Sequence, residues 1–233
     1  MTERNAKRQS PEGGAPESSF RFRALASCGI WGPALFLVSI AVASMEVPRY
    51  DPLTQTMSEV AANGPESVAL LSAGGFVGAG VFAIGFALAL HLGLGGGKRP
   101  HPASLLVLIG GMGMIGSGVF PAVPGHYGAI PVDIVHHGFV IVVFFGAAFA
   151  PLAVFRWTRE RRAWQGFGAF SLVLSVLIGL SIILIFVECL RPVQGAVQRT
   201  YVTLTALWMA SAAIRLLLPS QGTRAAVAQG SAE

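Results

Sequence analysis

The sequence predicts an all-α, polytopic membrane protein: a bundle of six transmembrane helices with both termini in the cytoplasm. Three observations carry this expectation. Of 233 residues, 53% are hydrophobic and only 12% charged, about half the charged fraction of a soluble domain. The mean hydropathy is +0.65, and apolar runs of roughly 20 residues, long enough to cross a hydrocarbon core of about 30 Å, recur along the chain. All but Arg49, Arg191 and Arg199 of the 16 Lys and Arg residues fall in the segments assigned to one side, which the positive-inside rule makes cytoplasmic.

Taken in order, residues 1–23 are polar and basic, with Arg4, Lys7, Arg8, Arg21 and Arg23 among Ser, Glu, Gly and Pro, a composition expected to stay disordered. The first span covers about 24–44. Ala41-Val42-Ala43 resembles a signal-peptide cleavage site, but the run exceeds the usual apolar core of about 7–15 residues, so an uncleaved anchor is expected. A polar, mildly acidic loop, 45–67, leads to a second span at about 68–91. A Gly-rich turn with Lys98 and Arg99 precedes the third span, about 102–120.

Between Phe120 and Val140 lie Pro121, Pro124, Pro131, Gly125 and Gly128, which prevent a continuous helix. The same stretch holds His126, Asp133, His136 and His137. A fourth span at about 134–155 ends in the basic turn of Arg156, Arg159, Arg161 and Arg162. The fifth and sixth spans are expected at about 166–187 and 198–218, before a small polar tail, 219–233. The inner (plasma) membrane is the expected location.

The net charge of +5 and pI near 9.9 do not point to nucleic acid, because the basic residues cluster at span ends rather than along a stripe with aromatics. Cys28 and Cys189 fall near opposite membrane faces, much farther apart than the roughly 7 Å a disulfide tolerates, and no CxxC spacing is present. Small residues recur at four-residue spacing, as in Gly74 and Gly78, Gly113 and Ser117, and Ser171, Ser175 and Gly179. Such faces let helices approach, within the bundle or between copies of the chain in a homo-oligomer. Gly111-x-Gly113-x-x-Gly116 has the letters of a dinucleotide fingerprint, but it lies inside an apolar span with no preceding strand, so that reading is rejected.

Most remaining polar groups fall on the outer side: Tyr50, Asp51, Gln55, Ser58, Glu59, His126, Asp133, His136, His137, Glu188, Arg191, Gln194, Gln198 and Arg199. Ionisable groups at span ends are functional candidates, and these are expected to converge on one outward-facing pocket. Tyr50, Asp51, Ser58, Glu59, His126, His136 and Arg199 are the candidate ligand-binding residues, with Ser58, Glu59 and His137 as catalytic candidates. Three chemistries compete there. His126, Asp133 and His137 offer imidazole and carboxylate ligands to zinc; Asp133 and His137 share a helix face at i and i+4, although no HExxH motif is present. Glu59 and Glu188 are expected to neutralise Arg199 and Arg191. A Ser58–histidine nucleophile pair is the third, without a GxSxG elbow around Ser58.

Several pieces resemble the domain-of-unknown-function family nine-nine-eight of bacterial and archaeal membrane proteins. They are Tyr50-Asp-Pro-Leu-Thr-Gln-Thr-Met-Ser-Glu59, the glycine-rich second span, Phe120-Pro121 before the histidine loop, and Gly195-Ala-Val-Gln-Arg-Thr200 with Trp208 beyond it. The resemblance covers about residues 24–218. It implies a six-helix bundle with a polar site built from Ser58, Glu59, a loop histidine and Arg199, and it implies no activity. Gln198 stands where a Glu is expected before Arg199, which removes an acid at that point. A looser similarity to seven-helix ceramidase-like hydrolases lacks their HxxxH pair and one span. The leading expectation is a non-catalytic membrane protein that binds a lipid or small ligand at its outer rim. The rivals are a zinc-dependent membrane hydrolase and a small-solute transporter, the last weakened because mid-span charges are absent.

Overall fold

The computed structural model describes residues 20–62, 68–95, 97, 99–123, 130–161 and 164–218. His126, the first 19 residues and the segment 219–233 lie outside the described residues. Every regular element among the described residues is helical, and six helices are long and apolar enough to cross a membrane.

Helix α1 runs Phe20–Met45 and carries Pro33 inside it, a break in the hydrogen-bond ladder that neighbouring helices make tolerable in a membrane. A five-residue helix, α2, Met57–Ala61, follows. Helix α3 joins a π-helical stretch, Val68–Val77, to an α-helical one, Gly78–Gly93. Helix α4, Pro102–Val119, starts on Pro102, whose fixed φ and missing N–H suit the first turn. The His101 side chain caps it, accepting from the Ala103 N–H at 3.1 Å. Helix α5, Pro131–Thr158, likewise starts on a proline. That start, three residues before the expected 134, brings Asp133, His136 and His137 onto its first two turns. Helix α6, Gln165–Ile185, leads into a 3-10 turn, Glu188–Val193, and α7, Gln194–Leu217, completes the chain.

Each spanning helix packs on the next in sequence, and α7 returns to α1, so the six form a closed ring. The α3–α4 crossing is as close as backbones allow: a Cβ on Gly80 would lie 2.7 Å from the Gly111 carbonyl oxygen. Gly111 therefore serves helix packing, as does Gly113, where a Cβ would come within 3.0 Å of the Phe139 carbonyl oxygen on α5. Of the small-residue faces expected from spacing, Ser171 and Ser175 are buried. Ser171 Oγ accepts from Trp208 Nε1 at 3.2 Å and Ser175 Oγ donates to the Ala148 carbonyl at 2.6 Å. Gly179 faces open space.

Around the ring, large apolar side chains point outward, including Trp31, Val81, Met112, Phe145, Val173 and Leu207. In water such a surface would be an aggregation hazard; in a bilayer it is the surface lipid solvates. One end of the bundle collects Arg21, Arg23, Arg99, Arg156, Arg159, Arg161 and Arg215. The other collects Arg49, Arg191, Arg199 and all the described acidic residues except Glu160. The two Cys are free.

Candidate functional site: a polar cap over an apolar cavity

The cap begins with the chain between α1 and α3. Asp51 turns it: its Oδ1 accepts from the Leu53 N–H at 2.9 Å and its Oδ2 from Thr54 Oγ1 at 3.0 Å, the Asx geometry that competes with helix in short polar segments. Thr56 and Glu59 then start α2 by a capping box, with the Glu59 N–H donating to Thr56 Oγ1 and the Thr56 N–H to Glu59 Oε2, at 3.3 and 2.7 Å. Met57, Val60 and Ala61 face down and are buried, so α2 is an amphipathic plug on the bundle.

Arg199 fastens this plug to α7. Its Nη1 donates to the carbonyls of Gln55, Gly195 and Pro52 at 2.7, 2.9 and 3.0 Å, and its Nη2 donates to the Tyr50 hydroxyl. The guanidinium also lies 5.5 Å from the Tyr50 ring centroid. Two further links run beside it: the Met57 N–H donates to Gln198 Oε1 at 2.6 Å, and the Ala196 N–H to the Leu53 carbonyl at 3.0 Å. Gly195 makes the approach possible, since a Cβ there would collide with the Gln55 and Pro52 carbonyl oxygens. The expected partner of Arg199 was Glu59; the interactions that position the guanidinium are these backbone carbonyls and Tyr50. Glu188 and Arg191 do pair, at 3.1 Å, but both are exposed, where such a pair contributes little.

Beneath α2, Ser58 meets α5. Ser58 Oγ lies 3.2 Å from Nε2 of His136, a side chain only 2% exposed. His136 Nδ1 lies 2.8 Å from the Phe120 carbonyl and 3.1 Å from the Ser117 carbonyl. A carbonyl only accepts, so Nδ1 carries the proton, and the Nε2 lone pair is left to accept from the Ser58 hydroxyl. On the next residue, His137 Nδ1 lies 2.8 Å from the Asp133 carbonyl and 3.2 Å from Asp133 Oδ2. Asp133, 1% exposed, also accepts from the Val123 N–H at 3.2 Å, tying the chain after α4 to the start of α5. Asp133 and His137 are thus adjacent, as their spacing predicts. The third zinc ligand expected, His126, lies outside the described residues, and no cluster of three His, Cys, Asp or Glu side chains suited to a metal occurs among those described.

Ser58 opens on a small compartment of about 20 Å³, which Ser117 and Gln198 also line. That is room for one water, which needs roughly 10–15 Å³. The Ser117 hydroxyl is 1% exposed and has no hydrogen-bond partner among the described residues. Next to it is a larger, partly open cavity of about 100 Å³, lined by α1, α3, α4, α5 and α7. Phe36, Met114, Val143, Tyr201 and Val202 line both, making them two levels of one column. Apart from Tyr201, Thr205 and Trp208, the lower level is lined only by apolar side chains and glycine. The Thr205 hydroxyl and Trp208 indole are already satisfied by the Tyr201 carbonyl and Ser171.

Of the sequence candidates, then, Ser58 and His136 meet, Tyr50 and Arg199 meet, and Asp133 and His137 meet; Asp51 and Glu59 shape the plug. Sequence reasoning passed over Ser117 and the Gln198–Met57 link. Ser117 carried only the signal of a small residue on a helix face, and a bond to a backbone N–H leaves none.

Residues 30–215 match the family described as Protein of unknown function (DUF998). No curated protein and no solved structure matches the chain. A match reaching from within α1 to the last turn of α7 touches all six spans, and the chain is accordingly a multi-pass membrane protein belonging to the DUF998 family.

Proposed function

We propose that this protein binds a lipid-like molecule, with an apolar segment in the cavity within the ring and a polar group at the Ser58–Gln198 cap. The observation that carries the reading is the two-level column: an apolar cavity of about 100 Å³ that shares five lining residues with a compartment whose Ser58, Ser117 and Gln198 supply polar groups. Pockets that are mostly apolar with a few placed polar groups are the usual form of a small-molecule site. The ligand class follows from the solvent: lipid surrounds the bundle, and a water-soluble ligand would leave the lower level empty. The distribution of Lys and Arg supports an inner (plasma) membrane orientation in which the polar cap faces away from the cytoplasm.

The test is equilibrium binding of a fluorescent-tailed phosphatidylcholine to the purified full chain in detergent. Ala206 lines the lower level, so Ala206→Phe fills it. The expected result is saturable binding by the wild type, weakened at least tenfold in Ala206→Phe with the unfolding temperature retained. Equal binding by the two proteins would refute the reading.

A further inference from the structure

Ser58 and His136 adjoin the space that holds the ligand in the binding reading above, on which this inference rests. We propose that they form a nucleophile–base pair that attacks the ester carbonyl of a bound acyl lipid.

Three independent features carry this. The first is geometry: Ser58 Oγ and His136 Nε2 are 3.2 Å apart, at the outer edge of the distance over which a base accepts a nucleophile's proton. The second is the tautomer. The Phe120 and Ser117 carbonyls at 2.8 and 3.1 Å fix the proton on Nδ1, so they perform the orienting task that an aspartate performs in a Ser-His-Asp triad. The third is the compartment itself. Ser117 presents a hydroxyl that is 1% exposed and lacks a partner among the described residues. Leaving a buried donor of this kind unsatisfied is destabilising, and an oxygen of a ligand would satisfy it. Gln198 Oε1 is engaged by the Met57 N–H, which leaves its amide Nε2 as a second donor on the same wall. Donors fixed in advance around a developing oxyanion are the largest single source of stabilisation in acyl transfer. The apolar level beneath supplies the space for the acyl chain.

The reaction consumes only the ester and one water. The Ser58 Oγ–C bond forms as the Oγ proton passes to His136 Nε2, and the carbonyl electron pair moves onto oxygen beside Ser117 and Gln198. The tetrahedral adduct then collapses. Its C–O bond to the alcohol breaks, and the leaving oxygen takes the proton from Nε2. Water, losing a proton to the same nitrogen, attacks the acyl carbon; the Oγ–C bond then breaks, Ser58 Oγ takes the proton back from Nε2, and the fatty acid leaves.

The test uses an alkyl fluorophosphonate on the full chain in lipid nanodiscs, read by intact mass and peptide mapping. The expected result is one adduct per chain on Ser58, absent in Ser58→Ala. In His136→Gln the labelling rate should fall about 100-fold or more, the lower range for a general base. Ser117→Ala should slow labelling roughly tenfold while leaving the unfolding temperature within a few degrees. Fluorescent-lipid binding is measured on the same preparations. Lipid binding with Ser58 unlabelled, or labelling undiminished in His136→Gln, would overturn the acyl-transfer proposal and leave the binding reading standing. Absence of both binding and labelling in folded protein would overturn both.

Discussion

The two ends of the bundle handle arginine in opposite ways. At the basic end two guanidinium groups lie on indole faces: Arg161 is 4.1 Å from the Trp157 ring centroid and Arg215 is 4.6 Å from that of Trp164. These two tryptophans meet edge to face at 5.4 Å, and His101 packs edge-on against Trp157. Such a belt of Trp and Arg is what a membrane–water boundary selects, amphipathic rings at headgroup depth with cations beside them. At the polar end Arg199 is wrapped by three carbonyls and a phenol. The first arrangement positions a helix end in the bilayer. The second uses a charge to hold a short amphipathic helix down over a cavity. An arginine on a ring is separable from the fold; an arginine shared by four oxygens from two segments is part of it.

That contrast orders the expected effects. Arg199→Ala should be the most damaging, on the order of 3 kcal/mol, since hydrogen bonds to charged groups contribute about 1.5–3 kcal/mol each and the carbonyls would be left without their donor. Arg199→Lys should recover little, because an ammonium cannot reproduce the planar fork. Thermal unfolding in detergent reads both; a loss no larger than that of an exposed arginine would erase the distinction between the two ends. Gly195→Ala should follow at about 1–3 kcal/mol, the usual effect of overpacking, because its Cβ would force α7 away from the Gln55 and Pro52 carbonyls.

The basic end should respond more weakly and differently. His101→Ala removes the cap of α4 and should cost about 1 kcal/mol. Burial, with Arg161 and His91 nearby, holds the His101 pKa below its ordinary value of 6.5. The unfolded chain therefore takes up the proton first. The stability that His101 contributes is present above pH 6.5 and lost as the pH falls from there through the folded value. Protonation would also end the Nδ1 acceptor role toward Ala103. The wild type should thus lose thermal stability more steeply than His101→Ala between about pH 7 and pH 5; parallel profiles would count against it. Arg161→Ala should cost only about 0.5–1 kcal/mol, the range for exposed cation–π contacts. Orientation has its own test. Cys189 is exposed on the turn before α7, so a membrane-impermeant maleimide should label it from outside intact cells. Labelling only after lysis would invert the bundle.

How much of this the sequence carried depended on whether the controlling interaction leaves a trace in side-chain letters. Six apolar runs of membrane-spanning length leave such a trace, and the six helices follow. The entries to α5 and α7 did not, because Pro131 and Gln194-Gly195 read as loop although proline suits a first helical turn and the Gly195 approach is set by another segment. Thr56-Met-Ser-Glu59 has the letters of a capping box, so α2 was legible where a plain polar loop was expected. Arg199 was assigned an acidic partner because opposite charges are visible in a sequence, whereas carbonyl oxygens belong to every residue. Ser58 and His136 lie 78 positions apart, and only the closure of the ring brings them together.

Residues two positions apart on each of two helices distinguish the inside of the ring from its outside. On α4, Met114 lines the column and Met112 faces outward; on α5, Val143 lines it while Ile141 and Phe145 face outward. A phospholipid with a diazirine near its acyl terminus, photolysed in nanodiscs with the full chain and mapped by mass spectrometry, distinguishes a ligand inside the ring from the surrounding bilayer. A lipid-like ligand within the ring predicts adducts at Met114 and Val143 that disappear in Ala206→Phe. Adducts confined to Met112, Ile141 and Phe145 would contradict it.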